Sequence, residues 1–229
     1  MKTLIYWILF LATSISVNLA HGDDHSDSGN IVGFVYGLKV TDPAGVVEAM
    51  TEYWDSPVGK KNPATAILRR NVSNGDDPAT HSIAVVYSSM AEIDETNALN
   101  QGTKEMQKFL RMMSEVATWT SEAMFVGTGI TTGSSTIVPA PGRYTLATSI
   151  AVSDQTAYVP AWQEYSAAIG RDSIATNLFF LNGIGSEPTT HVVTMSANSM
   201  ADLFQQDPEV QETYASFLND VKDVRTIEN

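Results

Sequence analysis

Asp77-Pro78-Ala79-Thr80-His81 recurs 110 positions later as Glu187-Pro188-Thr189-Thr190-His191. Just downstream, Ser89-Met90-Ala91-Glu92 recurs at the same spacing as Ser199-Met200-Ala201-Asp202. Further out, Val40-Thr41-Asp42 returns as Val152-Ser153-Asp154 and Tyr53 as Tyr165, each 112 positions on, and Asn74-Gly75 returns as Asn182-Gly183. Matched residues in a fixed order, with a drift of a few positions, are what a duplication leaves after small loop changes. Between the copies, residues 129–142 contain Gly, Ser, Thr and Pro and no charge, a linker composition. The sequence therefore divides into a first repeat at 31–128, a linker at 129–142 and a second repeat at 143–229.

Each repeat opens with a strand, 31–40 or 144–152. Phe34, Tyr36, Leu38 and Val40 alternate on one face, and Leu146, Thr148, Ile150 and Val152 take their places in the second copy. The opposite face is small: Val35, Gly37 and Lys39, or Ala147, Ser149 and Ala151. Asp42 then caps a helix with Pro43 at its first position, and Val46, Val47, Met50, Tyr53 and Trp54 form its apolar stripe. The second copy offers Tyr158, Val159, Trp162 and Tyr165, with Pro160 predicting a late start or a kink. A second strand (65–71 or 174–182) leads through an Asn-Gly turn to a third (81–87 or 191–196). A helix capped by Ser89 or Ser199 breaks near Gly102 or Asp207-Pro208 and resumes. A last strand at 123–127 or 225–228 completes a β-α-β-β-α-β order in each copy.

That order, with its broken second helix, resembles the dimeric α+β barrel superfamily. The segment Ser199-Met-Ala-Asp-Leu-Phe-Gln-Gln-Asp-Pro-Glu-Val-Gln-Glu-Thr-Tyr-Ala-Ser-Phe-Leu carries the resemblance, being similar to the second helix of antibiotic-biosynthesis-monooxygenase-like members. The resemblance spans both repeats. It implies an α+β fold of two tandem ferredoxin-like βαββαβ repeats that form, within one chain, the barrel other members build from two subunits. Two four-stranded sheets would face each other with helices outside. The small strand faces would then line the space between the sheets, packing it shut or leaving a cavity. The resemblance also raises haem as a cofactor and oxygenase chemistry as an activity, without a residue set that carries over.

The N-terminus reads as a secretory signal peptide over 1–22. Lys2 is followed by an apolar run from Leu4 to Val17 and the small residues Ala20 and Gly22. The run is shorter than a membrane-spanning helix needs. Export to a periplasm or to the exterior follows, with no membrane attachment after cleavage. Residues 23–30 read as a disordered leader. Cleavage after Gly22 would place Asp23-Asp24-His25 at a free amine, a sequence able to wrap square-planar copper or nickel.

The 229 residues carry 13 Lys and Arg against 26 Asp and Glu, a net charge of −13 that argues against nucleic-acid and anionic-lipid partners. The absence of cysteine excludes thiolate catalysis, disulfides and zinc–thiolate sites. Chemistry must come from few residues. His81 and His191, in equivalent positions, are the candidate general bases or metal or haem-iron ligands. Strand alternation puts both with the large residues, which favours a structural role. Lys39, Ser82, Ser149 and Thr194 on the small faces are the candidate ligand-binding residues. Arg69-Arg70 reads as an edge-strand charge pair. The functional classes that remain are a small apolar or aromatic ligand held between the sheets, a monooxygenase-like or haem-linked enzyme, and an inert interaction scaffold. The chain would act as a monomer or a homodimer, with no cofactor the preferred reading over haem or copper.

Overall fold

A computed structural model describes residues 10–14, 31–134, 140–170, 173–182, 188–204 and 208–228. The Asp23-Asp24-His25 candidate, the leader and the signal cleavage sites lie outside these residues.

The chain runs β1 (Phe10–Ser14), β2 (Val32–Val40), α1 (Pro43–Asp55), β3 (Thr65–Asn71), β4 (His81–Tyr87), α2 (Met90–Asn100), α3 (Lys104–Val116) and β5 (Ala117–Thr132). It continues with β6 (Tyr144–Val152), α4 (Gln155–Ile169), β7 (Ile174–Asn182), β8 (His191–Ala197), α5 (Met200–Leu203), α6 (Pro208–Val221) and β9 (Arg225–Ile227). The strands form one nine-stranded sheet in the order β1-β3-β4-β2-β5-β7-β8-β6-β9. Because β1 also pairs with β6, the hydrogen-bonded order returns on itself. Every pairing is antiparallel. In place of two separate sheets face to face, the two halves share one ladder where β5 meets β7, from Met124–Asn182 to Thr132–Thr176.

The helix starts follow local chemistry. Asp42 accepts from the Ala44 amide and Asp154 from those of Thr156 and Ala157, so each caps the helix after the first strand. Ser89 and Ser199 do the same for the Glu92 and Asp202 amides. Gly75, in the predicted Asn-Gly turn, and Gly102, at the break between α2 and α3, both have positive φ (58° and 72°), conformations that glycine adopts without steric cost. Helix α4 starts at Gln155 and runs through Pro160, so that proline does not delay it.

Two elements depart from expectation. β5 covers sixteen residues, starting six before the predicted strand and continuing into the predicted linker. Its register with β2 shifts between Gly37 and Leu38, a bulge that lets the long strand bend to serve β2 and then β7. The second departure is β1, which lies in the apolar N-terminal run and bridges β3 and β6.

The helices cover the large strand faces. Leu38, Leu68 and Ile83 pack with Val46, Ala49, Met50 and Met113 in the first half. Ile150, Leu178 and Val193 pack with Tyr158, Trp162, Tyr165, Phe217 and Val221 in the second. Among the described residues, no helix is long and apolar enough to cross a membrane.

Candidate functional site

Pleating sends alternate residues to opposite sides of a strand. With the large sides under helices, the other sides face inward around the closed sheet. Register identifies them: Gly37 lies opposite Ser82 and Ser121, and Ser82 opposite Arg69, while Ala147 lies opposite Thr194 and Thr194 opposite Asn177. These positions are small or polar. Val35, Ser82, Ala147, Ser149, Asn177 and Thr194 are all only half-buried, whereas Leu38 and Ile150 on the other face are wholly buried. Other inward positions are closed, Ile67, Ala84, Thr145, Ala175 and Ser196 being buried, and on the outward faces Phe34, Tyr36 and Thr148 are half-buried in turn. Phe125 and Phe179 are the large inward residues, with ring centroids 5.1 Å apart and nearly edge-on.

Ser82 donates to Asn71 Oδ1 at 3.3 Å, and Thr194 Oγ1 accepts from Asn177 Nδ2 at 3.4 Å. These two candidates and Ser149 thus face the interior, from different halves of the sheet. Lys39 is exposed at the end of β2.

Both histidines lie on the other side of the sheet. Thr80 Oγ1 accepts from the Val40 amide at 2.9 Å and meets His81 Nδ1 at 3.0 Å. Thr190 repeats this with the Val152 amide (2.9 Å) and His191 Nδ1 (2.8 Å). Each Thr-His pair therefore pins the end of the first strand of its half. Burial pushes both imidazole pKa values down, and nearby Arg70 adds to the effect at His81. His191 is fully buried, 4.7 Å from the Phe180 ring and 6.3 Å from that of Tyr158, and its Nε2 has no hydrogen-bond partner. An iron ligand needs a macrocycle's width of open space beside Nε2, and packing denies it here. His191 therefore does not fit haem ligation, and both histidines face away from the hydroxyl candidates. Among the described residues, no three His, Asp or Glu side chains are grouped to hold a metal ion.

The sequence reading placed Arg69 at an edge and passed over Arg143. In the structure β3 is flanked by β4 and β1, so Arg69 is not at a free edge while β1 is in place. Arg70 pairs across with His81 and is exposed on the helix side, which turns Arg69 inward. Arg69 Nε is buried without a hydrogen-bond partner, and desolvation pulls the guanidinium pKa down to about 10. Arg143 precedes β6 and continues the inward alternation of Thr145, and its Nε is likewise buried and unpartnered. The signal available in the sequence was parity: position 69 shares a face with Ile67 and Asn71, opposite the core residue Leu68.

The fold places these features among known structures. A chlorite dismutase-like protein superposes with a TM-score of 0.54 at 9% identity, over 87% of this chain and 91% of its own. A monooxygenase-like protein from Lactobacillus acidophilus NCFM gives 0.54 at 10% identity, over 86% and 91%. The chain has the dimeric α+β barrel fold. An anthrone oxidase-like protein extends the barrel set, with a TM-score of 0.52 at 13% identity over 87% and 89%. No protein-family model matches the chain, and no curated protein matches it in sequence. At these identities the barrel likeness establishes architecture and leaves the chemistry to the chain's own residues.

Proposed function

We propose that this chain is an exported binding protein whose two duplicated halves close on each other and hold a small apolar or aromatic molecule inside the barrel. The observation that carries the reading is a set of small and polar inward positions, Val35, Ser82, Ala147, Ser149, Asn177 and Thr194, that stay half-buried inside a sheet whose order closes on itself. An apolar lining with a few placed polar groups is the usual composition of a ligand pocket. Export rests on the N-terminal pattern of Lys2, the apolar run and Ala20-His21-Gly22. Cleavage there would remove β1 and open the seam between β3 and β6, giving the interior an entrance.

A second reading, an oxygenase acting on a flat aromatic, is favoured by the Phe125–Phe179 pair, which presents ring surface to the interior. Titration with the neutral fluorophore N-phenyl-1-naphthylamine tests the shared premise. One saturable site is expected, lost in a Thr194→Trp variant that still unfolds cooperatively. No saturable binding, or binding untouched by Thr194→Trp, would leave the inert scaffold as the correct reading.

A further inference from the structure

Resting on that reading, we propose that the barrel ligand is an anion, an aromatic or alkyl carboxylate whose acidic group is held jointly by Arg69 and Arg143. The register sets the geometry. β1 lies between β3 and β6, with Ser14 opposite Arg69 and Thr13 opposite Tyr144, the neighbour of Arg143. Strands lie about 4.8 Å apart, so the two arginine backbones flank one end of β1 at roughly 10 Å. Strand alternation, continued one residue before β6, assigns both residues to the same inward face. Across that separation, two arginine forks can converge on one carboxylate.

Charge and hydrogen bonding point the same way. In a chain with twice as many acids as bases, no Asp or Glu occupies a described inward strand position. Among the described residues Arg69 therefore has no inward carboxylate to answer it, and burial is the sole cause lowering its pKa. Both arginines are half-buried residues whose Nε atoms are buried without a partner, and such a donor is retained at a cost unless something pairs with it. Guanidinium is the side chain whose fork matches a carboxylate in two parallel hydrogen bonds. An anion arriving with an apolar body would satisfy both Nε atoms and rest that body against Phe125 and Phe179. Both arginines belong to the body of the chain, so removal of the N-terminal segment would keep the pair; the burial of their Nε atoms is that of the chain with β1 in place.

The test is competition on the full chain, with 2-naphthoate and its neutral amide each displacing N-phenyl-1-naphthylamine. The carboxylate should bind roughly ten- to a hundred-fold more tightly than the amide, the range for charge-assisted hydrogen bonds. Arg69→Gln and Arg143→Gln should each remove most of that preference without changing amide affinity, and Arg69→Lys should keep part of it. Arg69→Met should also raise the melting temperature of the ligand-free protein, since it removes a buried, unpartnered Nε. Equal binding of acid and amide, or a preference unchanged in both Gln variants, overturns the arginine assignment and leaves the cavity intact. Failure of the neutral probe itself to bind overturns the cavity reading and this inference with it.

Discussion

The two halves of the barrel solve the same packing problem differently. At matched positions the first half has Val46 and Met50 where the second has Tyr158 and Trp162. The first core is mainly aliphatic, with Trp54 and Phe109 packed at its side, and its buried Tyr53 is satisfied: the hydroxyl donates to Asn100 Oδ1 at 2.6 Å and accepts from Asn62 Nδ2 at 2.9 Å. The second core is a pack of rings around Phe217, stacked on Tyr165 at 4.9 Å and flanked by Trp162 at 5.9 Å and Tyr158 at 6.0 Å. Arg225 lies over the same ring at 5.3 Å. The rings supply more buried apolar area, but Tyr158 Oη, Trp162 Nε1 and His191 Nε2 are buried without partners. One backbone plan thus accepts either a satisfied aliphatic core or a larger aromatic core with unpaired polar atoms, because area gained offsets hydrogen bonds forgone.

The largest test of this contrast is truncation. Trp162→Ala should cost about 3–5 kcal/mol in urea unfolding and Met50→Ala, its counterpart, about 2–5 kcal/mol. A clearly greater loss at Met50 would break the comparison. Next comes pH. Both histidines have folded-state pKa values below their unfolded value of 6.5. The unfolded chain therefore binds more protons as pH falls through that range, so the stabilisation is present above about pH 6.5 and lost below it. Each histidine can contribute a slope of up to about 1.4 kcal/mol per pH unit. His191→Gln should flatten the fall between pH 6.5 and 5 more than His81→Gln, because His191 is the more deeply buried. Equal flattening would make the halves alike in this respect. The smallest effects come from hydroxyl deletion. Tyr53→Phe should cost about 1 kcal/mol, since it leaves Asn62 and Asn100 without that partner. Tyr158→Phe should be neutral or slightly stabilising, and a matching loss there would reveal a partner for its hydroxyl.

Most of the fold was legible because it is written locally. Caps at Asp42, Asp154, Ser89 and Ser199, the alternation through Leu38 and Ile150, and the Gly75 turn each act within a few residues. The bounds of β3, β4, β6 and β7 follow from such signals. The length of β5 was not legible. Gly129 to Thr132 look like linker, and only the distant edge of β7 makes strand of them. The pairing of β1 is likewise a long-range event, invisible in an apolar run that reads as a signal peptide. For the site, parity placed Ser82, Ser149 and Thr194 on the inward faces and the histidines away from them. Arg69 was missed because a dibasic pair reads as solvated surface. Arg143 was missed because no repeat partner marks it, and its isolation from carboxylates is a property of the closed sheet.

The proposed opening of the barrel interior can be probed directly because the chain has no cysteine of its own. Single variants Ala147→Cys, on the half-buried inward face of β6, and Ala197→Cys, fully buried beneath α5, report on the two sides of the sheet. Under native conditions a small methanethiosulfonate reagent should label Ala147→Cys readily, and bound N-phenyl-1-naphthylamine should protect it, while Ala197→Cys should react only on unfolding. Labelling of Ala147→Cys as slow as that of Ala197→Cys would mean that the interior is filled, and would contradict the binding function.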